Sequence, residues 1–245
     1  MGSEFPREDA FDEDYLYFYE ELLTPERTAA EVELVWKLLE LEPGLELLDL
    51  ACGHGRIANS LAERGARVTG LDATPLFLDV ARADAAERGV EVDYVEGDMR
   101  ELPWEGAFDR VLSWFTSFGY FDDEANREVL GDVHEALKPD GAVLIEGNNL
   151  AELLPRWLPA VVIEKGDDLV VDHGVFEPIT GRADTERTVV RDGRTRRFAF
   201  SVRMFVAAEL GDWLREAGFD EVRFYDGAGE PLTAEGRRMI AVATR

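Results

Sequence analysis

The stretch from Leu47 to Arg56, Leu-Leu-Asp-Leu-Ala-Cys-Gly-His-Gly-Arg, decides the fold together with Gly70-Leu71-Asp72. An apolar run ends in an acid, the chain turns through two glycines, and Asp72 closes a second apolar run about twenty residues later. Glycines let the backbone approach a ligand closely, and a carboxylate can accept hydrogen bonds from both hydroxyls of a ribose. The spacing predicts a parallel sheet that holds an adenosine-containing cofactor at the carboxyl ends of its strands.

Between residues 45 and 147, short runs rich in Val, Leu and Ile alternate with amphipathic segments, which is typical of parallel strands covered on both faces by helices. The predicted strands are residues 45–50, 67–71, 90–95, 109–113 and 142–146, and the predicted helices are residues 57–64, 74–88 and 124–137. A helix at 207–217 and strands at 221–225 and 239–244 continue the pattern. The β-rich runs at 168–177 and 183–204 have no helix between them, so they predict an antiparallel insertion after strand five. The fold class is therefore α/β, with a Rossmann-like sheet.

The N-terminal segment is predicted to be helical up to residue 44, with Thr24 capping a helix that begins at Pro25. Tyr15, Tyr17 and Tyr19 give this acidic segment an unusual density of aromatic residues. Two interpretations stay open, a helix that docks on the core and an aromatic flap over cofactor and substrate. Residues 1–5 have the character of a cloning scar.

The chain then divides into a helical cap (residues 1–44), a cofactor-binding core (45–150 and 206–245) and a β-rich insertion (151–205). The insertion is expected to cover the active site or to form a homodimer contact.

Composition limits the possible partners. The formal net charge is -26, from 52 acidic and 26 basic residues, and such a field repels the phosphates of nucleic acids. No apolar run approaches the roughly 20 residues that span a bilayer, so no membrane partner is expected. Cys52 is the only cysteine, which excludes an intramolecular disulfide and favours a reducing cytoplasm. The acidic surface is either a solubility trait or a field that attracts a cationic amine.

The glycine turn alone leaves the cofactor open, because Gly53, Gly55 and Ala58 also match the Gly-x-Gly-x-x-Ala pattern of nicotinamide and flavin enzymes. The charge of Asp49 would oppose a pyrophosphate at this position and suits a ligand with an ammonium or sulfonium group. After strand three, Asp98 can accept a hydrogen bond from an adenine amine while Met99 packs on the ring.

With these pieces in order, the chain resembles the class I S-adenosylmethionine-dependent methyltransferases. The matching motifs run from Asp49 to Gly141: the glycine turn, Asp72, Gly97-Asp98-Met99, Phe108-Asp109-Arg110-Val111 and Leu137-Lys138-Pro139-Asp140-Gly141. The resemblance implies a seven-stranded sheet whose last strand is antiparallel. It also implies S-adenosylmethionine as cofactor, with S-adenosylhomocysteine as product.

The resemblance further assigns the cofactor site residue by residue. Asp49 would orient the amino group of the cofactor, and Arg27 is either a partner of its carboxylate or a surface residue of a helix. The remaining cofactor contacts it implies are Ala51, Gly53 and Gly55 at the methionine part, Asp72 and Ala73 at the ribose, Asp98 and Met99 at the adenine, and Ser113 and Trp114 at the end of strand four.

The expected reaction is in-line transfer of a methyl group to N or O of a small molecule, mainly by proximity and orientation. Expected substrate contacts are Tyr15, Tyr19, Thr116, Tyr120 and Asn148, and the candidate bases are His173 and Tyr17. The loop from Trp114 to Phe121 is similar to that of small-molecule methyltransferases, including those acting on sugar amines. No metal is expected, since the histidines and the cysteine have no metal-ligand spacing. A non-catalytic cofactor-binding module and a nicotinamide oxidoreductase remain as rivals.

Overall fold

The computed structural model describes residues 6–245, so the predicted cloning scar lies outside the described residues. The main sheet has seven strands in the order β10-β11-β5-β4-β1-β2-β3. These strands are β1 (Glu46–Leu50), β2 (Arg67–Asp72), β3 (Val92–Glu96), β4 (Phe108–Ser113), β5 (Leu137–Asn148), β10 (Glu221–Tyr225) and β11 (Arg238–Thr244). Strands β1 to β5 pair in parallel, and β11 runs antiparallel between β5 and β10. The predicted fold class is confirmed.

Both faces of the main sheet are buried. The helices are α1 (Arg7–Ala10), α2 (Glu13–Tyr19), α3 (Pro25–Leu38), α4 (Arg56–Glu63), α5 (Pro75–Arg88), α6 (Asp123–Ala136), α7 (Leu150–Leu153) and α8 (Ala207–Glu216). Side chains alternate across a strand, so Leu47 joins the apolar cluster under α3, α4 and α5, while Leu48 joins the cluster under α6 and α8. Both leucines are fully buried, as expected of a parallel strand with helices on each side.

A second sheet, here called the insertion sheet, follows α7. It is antiparallel and consists of β6 (Ala160–Lys165), β7 (Asp168–Glu177), β8 (Arg182–Arg191) and β9 (Arg194–Arg203), in that order. Asp192 and Gly193 have φ of 52° and 70°, the left-handed geometry of a tight hairpin turn between β8 and β9. The insertion is thus a four-stranded meander, one strand longer at its start than the predicted β-rich runs.

The insertion sheet has an inner face that packs on the rest of the molecule. One cluster joins Val170 and Val189 to Phe18 of α2, and a second joins Ala183 and Val202 to Leu150 of α7. Residues 7–20 therefore pack on the insertion sheet through Phe18 and on Phe77 of α5 through Tyr15. We call residues 7–20, which include α1 and α2, the flap.

Helices α2 and α3 each begin after a residue whose side chain caps the helix. Thr24 Oγ1 accepts a hydrogen bond from Arg27 N at 3.3 Å, and Pro25 stands in the first turn of α3, as predicted. Asp12 caps α2 in the same way, accepting from the N–H groups of Asp14 and Tyr15. Within residues 6–245, no helix is both long enough and apolar enough to cross a membrane.

Candidate active site

The glycine turn after β1 is a tight left-handed loop. Ala51, Gly53 and Gly55 have φ of 58°, 58° and 76°, and α4 begins directly after Gly55. A Cβ added at Gly55 would lie 2.2 Å from the hydroxyl of Tyr94 and 2.7 Å from Cβ of Ala81, so only glycine fits there. Gly55 therefore lets the loop pack closely on Tyr94 and Ala81. The first backbone N–H groups of α4, directly after the loop, have no partner within the helix and can bind a ligand.

Asp72, at the end of β2, fixes the shape of this loop. Its two carboxylate oxygens accept hydrogen bonds from Gly53 N and Thr74 N, both at 2.8 Å. Burial raises the pKa of Asp72, and these two N–H donors work in the opposite direction. Each oxygen keeps a second lone pair, so the carboxylate can still accept hydrogen bonds from two ribose hydroxyls. Half-buried Ala73 follows it in the chain, where the resemblance predicts a ribose contact.

Asp49 is buried at the end of β1, on the other side of the loop, with only 3% of its surface exposed. Burial, and then the charge of Asp72, raise the pKa of Asp49 to about 7, while Arg56 lowers it. Among residues 6–245, no basic side chain forms an ion pair with this carboxylate. A ligand that brings a positive charge, such as an ammonium group, would supply the compensating charge.

Asp98 and Met99 follow β3 at the adenine end of the predicted site. Asp98 is held by Arg100, whose Nη2 and Nε lie 2.7 Å and 3.0 Å from its two oxygens, and this pair lowers the pKa of Asp98. Arg100 also lies over the ring of Phe121 at 4.5 Å. Met99 is buried in the cluster under α6 and α8.

A charged network lies at the predicted methionine end. Arg27 Nε and Arg56 Nη2 lie 2.8 Å and 2.6 Å from the two carboxylate oxygens of Glu31, which also accepts a hydrogen bond from Trp114 Nε1 at 3.1 Å. The structure thus brings predicted Arg27 and Trp114 together with Arg56 and Glu31, which sequence reasoning missed. The position of Arg56, next to the last glycine of the turn and first in α4, was the available signal.

Residues 114–120, here called the acceptor loop, follow the end of β4. Ser113 is buried, and its Oγ has no hydrogen-bond partner within the described structure. Phe115 and Thr116 have left-handed φ of 62° and 59°, which is unusual for two consecutive residues with side chains. Such strain is concentrated at functional sites, where the surrounding structure enforces it. An orphaned hydroxyl beside a strained loop fits a ligand-binding edge.

The flap places its aromatic side chains beside the glycine turn. Tyr15 and Tyr19 stack at 4.3 Å between ring centroids, and Tyr15 lies 5.4 Å from Phe77, which is 6.3 Å from His54 of the turn. Tyr120, at the end of the acceptor loop, reaches this group through Phe11. Three of the predicted substrate residues, Tyr15, Tyr19 and Tyr120, therefore share one aromatic cluster.

Burial sets the protonation of the groups in this cluster. It raises the pKa of Tyr15, and it raises that of Tyr120 to about 12, so both phenols keep their protons at neutral pH. Burial, together with Arg56, lowers the pKa of His54 to about 4, so its imidazole is neutral at neutral pH. The cluster thus offers phenolic donors and aromatic faces rather than charged groups.

Neither predicted base lies in this cluster. Tyr17 contacts the insertion sheet, where Lys165 Nζ and the guanidinium of Arg191 each lie 4.3 Å from its ring centroid. His173 is exposed on β7, one residue after Asp172, and side chains alternate between the two faces of a strand. The inner face carries Asp172 instead.

Sequence reasoning also missed the pair that occupies this inner face. Arg187 Nε and Nη2 each lie 2.7 Å from Asp172, and Nη2 lies 3.3 Å from the hydroxyl of Tyr19. Only the alternation of β7 and β8 could have indicated which of their residues face inward, and it depends on a register that the sequence does not give.

The remaining predicted substrate residues, Thr116 and Asn148, meet at the ends of β4 and β5. Arg238 donates to both, with Nη2 2.8 Å from Thr116 Oγ1 and Nη1 2.6 Å from Asn148 Oδ1. The buried carboxylate of Glu146 completes this group through an ion pair with Arg238.

The donor set fits S-adenosylmethionine. The first turn of α4 offers backbone N–H groups, Asp72 has acceptor capacity beside the glycine turn, and buried Asp49 lacks a compensating positive charge. The amino group, ribose and adenine of this cofactor would thus be held by Asp49, Asp72 and Asp98.

Comparisons with known proteins agree with this geometry. A family model described as "Methyltransferase domain" matches residues 47–141. The cypemycin N-terminal methyltransferase of a Streptomyces species is 35% identical over 82% of this chain and 84% of its own. The ubiquinone biosynthesis O-methyltransferase of Pseudomonas aeruginosa is 36% identical over 78% of this chain and 71% of its own. The structure of a sugar N-methyltransferase from a Streptoalloteichus species superimposes with a TM-score of 0.67 at 25% identity, covering 100% of this chain and 98% of its own.

Proposed function

The chain belongs to the S-adenosylmethionine-dependent methyltransferases, and on that premise we propose that it methylates an amine nitrogen of a small molecule. We choose nitrogen over oxygen because of the side chains that line the space between the flap, the acceptor loop and the insertion sheet. It offers aromatic faces, protonated phenols and the Asp172–Arg187 pair. An amine can attack once it is neutral, whereas a hydroxyl usually needs a base, and the one histidine beside that space, His54, belongs to the glycine turn.

The three histidines, all within the described residues, lie in other surroundings. His54 belongs to the glycine turn and packs on Phe77, His134 of α6 packs on Phe219, and His173 is exposed on the insertion sheet. Two relatives, the cypemycin N-terminal methyltransferase and the sugar N-methyltransferase, are named for transfer to nitrogen. Together these points favour an amine acceptor over the oxygen acceptor of the ubiquinone enzyme.

The chain's own residues contribute binding and orientation in this proposal. S-adenosylmethionine supplies an activated methyl group when bound. Asp49, Asp72, Asp98 and their neighbours hold the cofactor, and the flap excludes water. The acceptor is held by Tyr15, Tyr19, Thr116, Tyr120 and Asn148. Aromatic faces near a cation are worth about 0.5–2 kcal/mol, which suits both the sulfonium and an amine that gains charge as it is methylated.

The division of the chain into cap, core and insertion is part of the same proposal. We propose that the cap (residues 1–44) and the insertion (residues 151–205) cover the site, while the core (45–150 and 206–245) binds the cofactor. The flap packs on Val170 and Val189 of the insertion sheet, which supports this division.

Cofactor binding is tested by isothermal titration calorimetry with S-adenosylhomocysteine and with NAD. We expect binding of the first alone. Asp72→Ala should weaken it at least tenfold, or about 1.4 kcal/mol, because ribose hydrogen bonds and the brace on Gly53 are lost. Asp79→Ala, on the exposed surface of α5, is the matched control. Binding of NAD alone would overturn the family assignment for this site.

The acceptor is tested by turnover on a panel of glycyl peptides, amino sugars and catechols, with methylated products identified by mass spectrometry. Methyl transfer to amines is expected. Transfer to catechol oxygen alone would refute the nitrogen assignment, and cofactor binding with no transfer to any of the three classes would support a non-catalytic module.

A further inference from the structure

The acceptor loop is held in a conformation that its own residues disfavour. Phe115 and Thr116 both have left-handed φ, and Thr116 is β-branched, which makes this conformation a strong outlier. A residue in such a conformation costs of order 1–3 kcal/mol and persists only where the surrounding structure enforces it. The side chains that enforce it here come from β5 and β11.

Two hydrogen bonds from these side chains are made to Thr116 itself. Its N–H donates to Glu146 Oε2 at 3.1 Å, and its Oγ1 accepts from Arg238 Nη2 at 2.8 Å. Arg238 Nε also pairs with Glu146, and Nη1 donates to Asn148 Oδ1 at 2.6 Å. One guanidinium therefore holds the loop, the carboxylate and the end of β5 at once.

We call the contacts of Glu146 and Arg238 with Thr116 the clamp, and the paired strands β5 and β11 hold it in place. Arg238 is the first residue of β11 and pairs with Asn148, the last residue of β5, two positions beyond Glu146. Glu146 is 3% exposed, so its charge requires a partner in a fixed position. Since one oxygen accepts from Thr116 and the other pairs with Arg238, this carboxylate acts in orientation rather than as a proton acceptor.

Phe115, the residue before Thr116, contacts the cofactor side. The guanidinium groups of Arg27 and Arg56 lie 5.2 Å and 5.9 Å from the ring centroid of Phe115, and Tyr19 of the flap lies 6.4 Å from it. Arg27 and Arg56 are held by their own ion pairs with Glu31, so a shift at Thr116 would move Phe115 relative to the flap and leave the methionine end in place.

We propose that Arg238 and Glu146 are positioning residues for methyl transfer, which lock the acceptor loop in the shape that aligns the acceptor with the methyl group. They act through Thr116. A misplacement of about 1 Å can slow a reaction by about a hundredfold, so loss of this clamp affects turnover more than cofactor affinity.

The test variant is Arg238→Lys, which keeps the positive charge but loses the several N–H donors of the planar guanidinium. The control is Arg223→Lys on neighbouring β10, where the arginine pairs with Glu221 at the exposed surface. In Arg238→Lys, hydrogen exchange of the Thr116 amide and of the peptide over residues 114–120 should accelerate about tenfold or more, while the core strands keep their protection. The affinity for S-adenosylhomocysteine should stay within about twofold, and kcat for the fastest amine of the panel should fall about tenfold or more. Arg223→Lys should change none of these.

A second pair of variants covers the case in which Arg238→Lys unfolds. Thr116→Val replaces the hydroxyl with a methyl group and should accelerate exchange of the loop as Arg238→Lys does, whereas Thr116→Ser keeps the hydroxyl and should exchange like wild type. Unchanged exchange in Arg238→Lys or Thr116→Val, or an unchanged kcat in folded Arg238→Lys, would overturn the proposal. A parallel loss of S-adenosylhomocysteine affinity would overturn it as well, by giving the residue a cofactor role. The exchange measurement needs no acceptor, so it stands even if the choice of nitrogen fails.

Discussion

Asp49→Asn is expected to stabilise the protein above neutral pH while it weakens cofactor binding. Burial, with the charge of Asp72, raises the pKa of Asp49 from 3.8 to about 7. A carboxyl with a raised pKa in the folded state contributes stability that is complete below the unfolded value and is lost as the pH rises through 7. At about 1.4 kcal/mol per pKa unit, ionised Asp49 lowers the free energy of unfolding by at most about 4 kcal/mol at pH 8, of which about 3 develops above pH 5.

The assay is urea and thermal unfolding of wild type and variant at pH 5 and pH 8. Asparagine has a similar shape and does not titrate in this range, so any cost of burying its amide is the same at both pH values and cancels. The stability difference should move by about 3 kcal/mol in favour of the variant, a relative shift in Tm of about 6–12 °C for a chain of this size. A difference that stays constant between the two pH values, or moves toward the wild type, would refute the reasoning.

The same carboxyl should make cofactor binding depend on pH. Wild-type affinity for S-adenosylhomocysteine should rise about tenfold from pH 6 to pH 8, because the ammonium group binds the ionised carboxylate. In Asp49→Asn the affinity should be lower by about tenfold or more at pH 8, and nearly independent of pH. A pH dependence that survives in the variant would assign the titration to another group.

Three more predictions address the loop, the flap and the insertion. Gly55→Ala should lower the free energy of unfolding by about 2 kcal/mol more than Gly89→Ala, because both glycines are left-handed but only the first has atoms within 3 Å of the new Cβ; equal Tm values would contradict this. Arg196→Glu, which loses ion pairs to three flap aspartates, should speed proteolysis of the flap and weaken S-adenosylhomocysteine binding. An unchanged digestion pattern would show that these ion pairs do not hold the flap on the insertion sheet. Val162→Lys on the edge strand β6, where this valine is 52% exposed, tests the predicted homodimer contact of the insertion: light scattering should give a lower mass for the variant than for wild type, and a wild-type monomer at high concentration would contradict the prediction.

The main sheet, and the meeting of Asp49, Asp72, Asp98 and Ser113 at one edge of it, were predictable because each of these residues lies at or just after the end of a strand. The carboxyl ends of adjacent parallel strands meet at one edge, so the order of Asp49, Asp72, Asp98 and Ser113 along the chain is enough to bring them together. The glycine turn needed no tertiary information either, since its left-handed residues are a local property. This is why the fold class was confirmed with element bounds shifted by only a few residues.

The acceptor side was less predictable because it depends on register and on contacts between distant segments. A one-residue offset on β7 decides that Asp172 faces inward and exposed His173 does not. Strand β6 was not predicted, although its Val-Val-Ile run is typical of a strand. Arg238 follows no motif, and its contacts with Thr116 become visible only when β11 has paired with β5.

The two ends of the site therefore differ in how they are built. The cofactor end buries Asp49 and Asp72. Burial raises the pKa of both carboxyls, and the charge of Asp72 raises that of Asp49 further, which is a destabilising arrangement in the absence of a cation. A ligand with an ammonium group removes much of that penalty, so binding should stabilise the chain in proportion to cofactor concentration. The acceptor end is strained in its backbone instead, at Phe115 and Thr116, and the Glu146–Arg238 pair, which belongs to the chain itself, holds that strain. It follows that saturating S-adenosylhomocysteine should raise the Tm of wild type more than that of Asp49→Asn, and should raise the Tm of Arg238→Lys by as much as that of wild type.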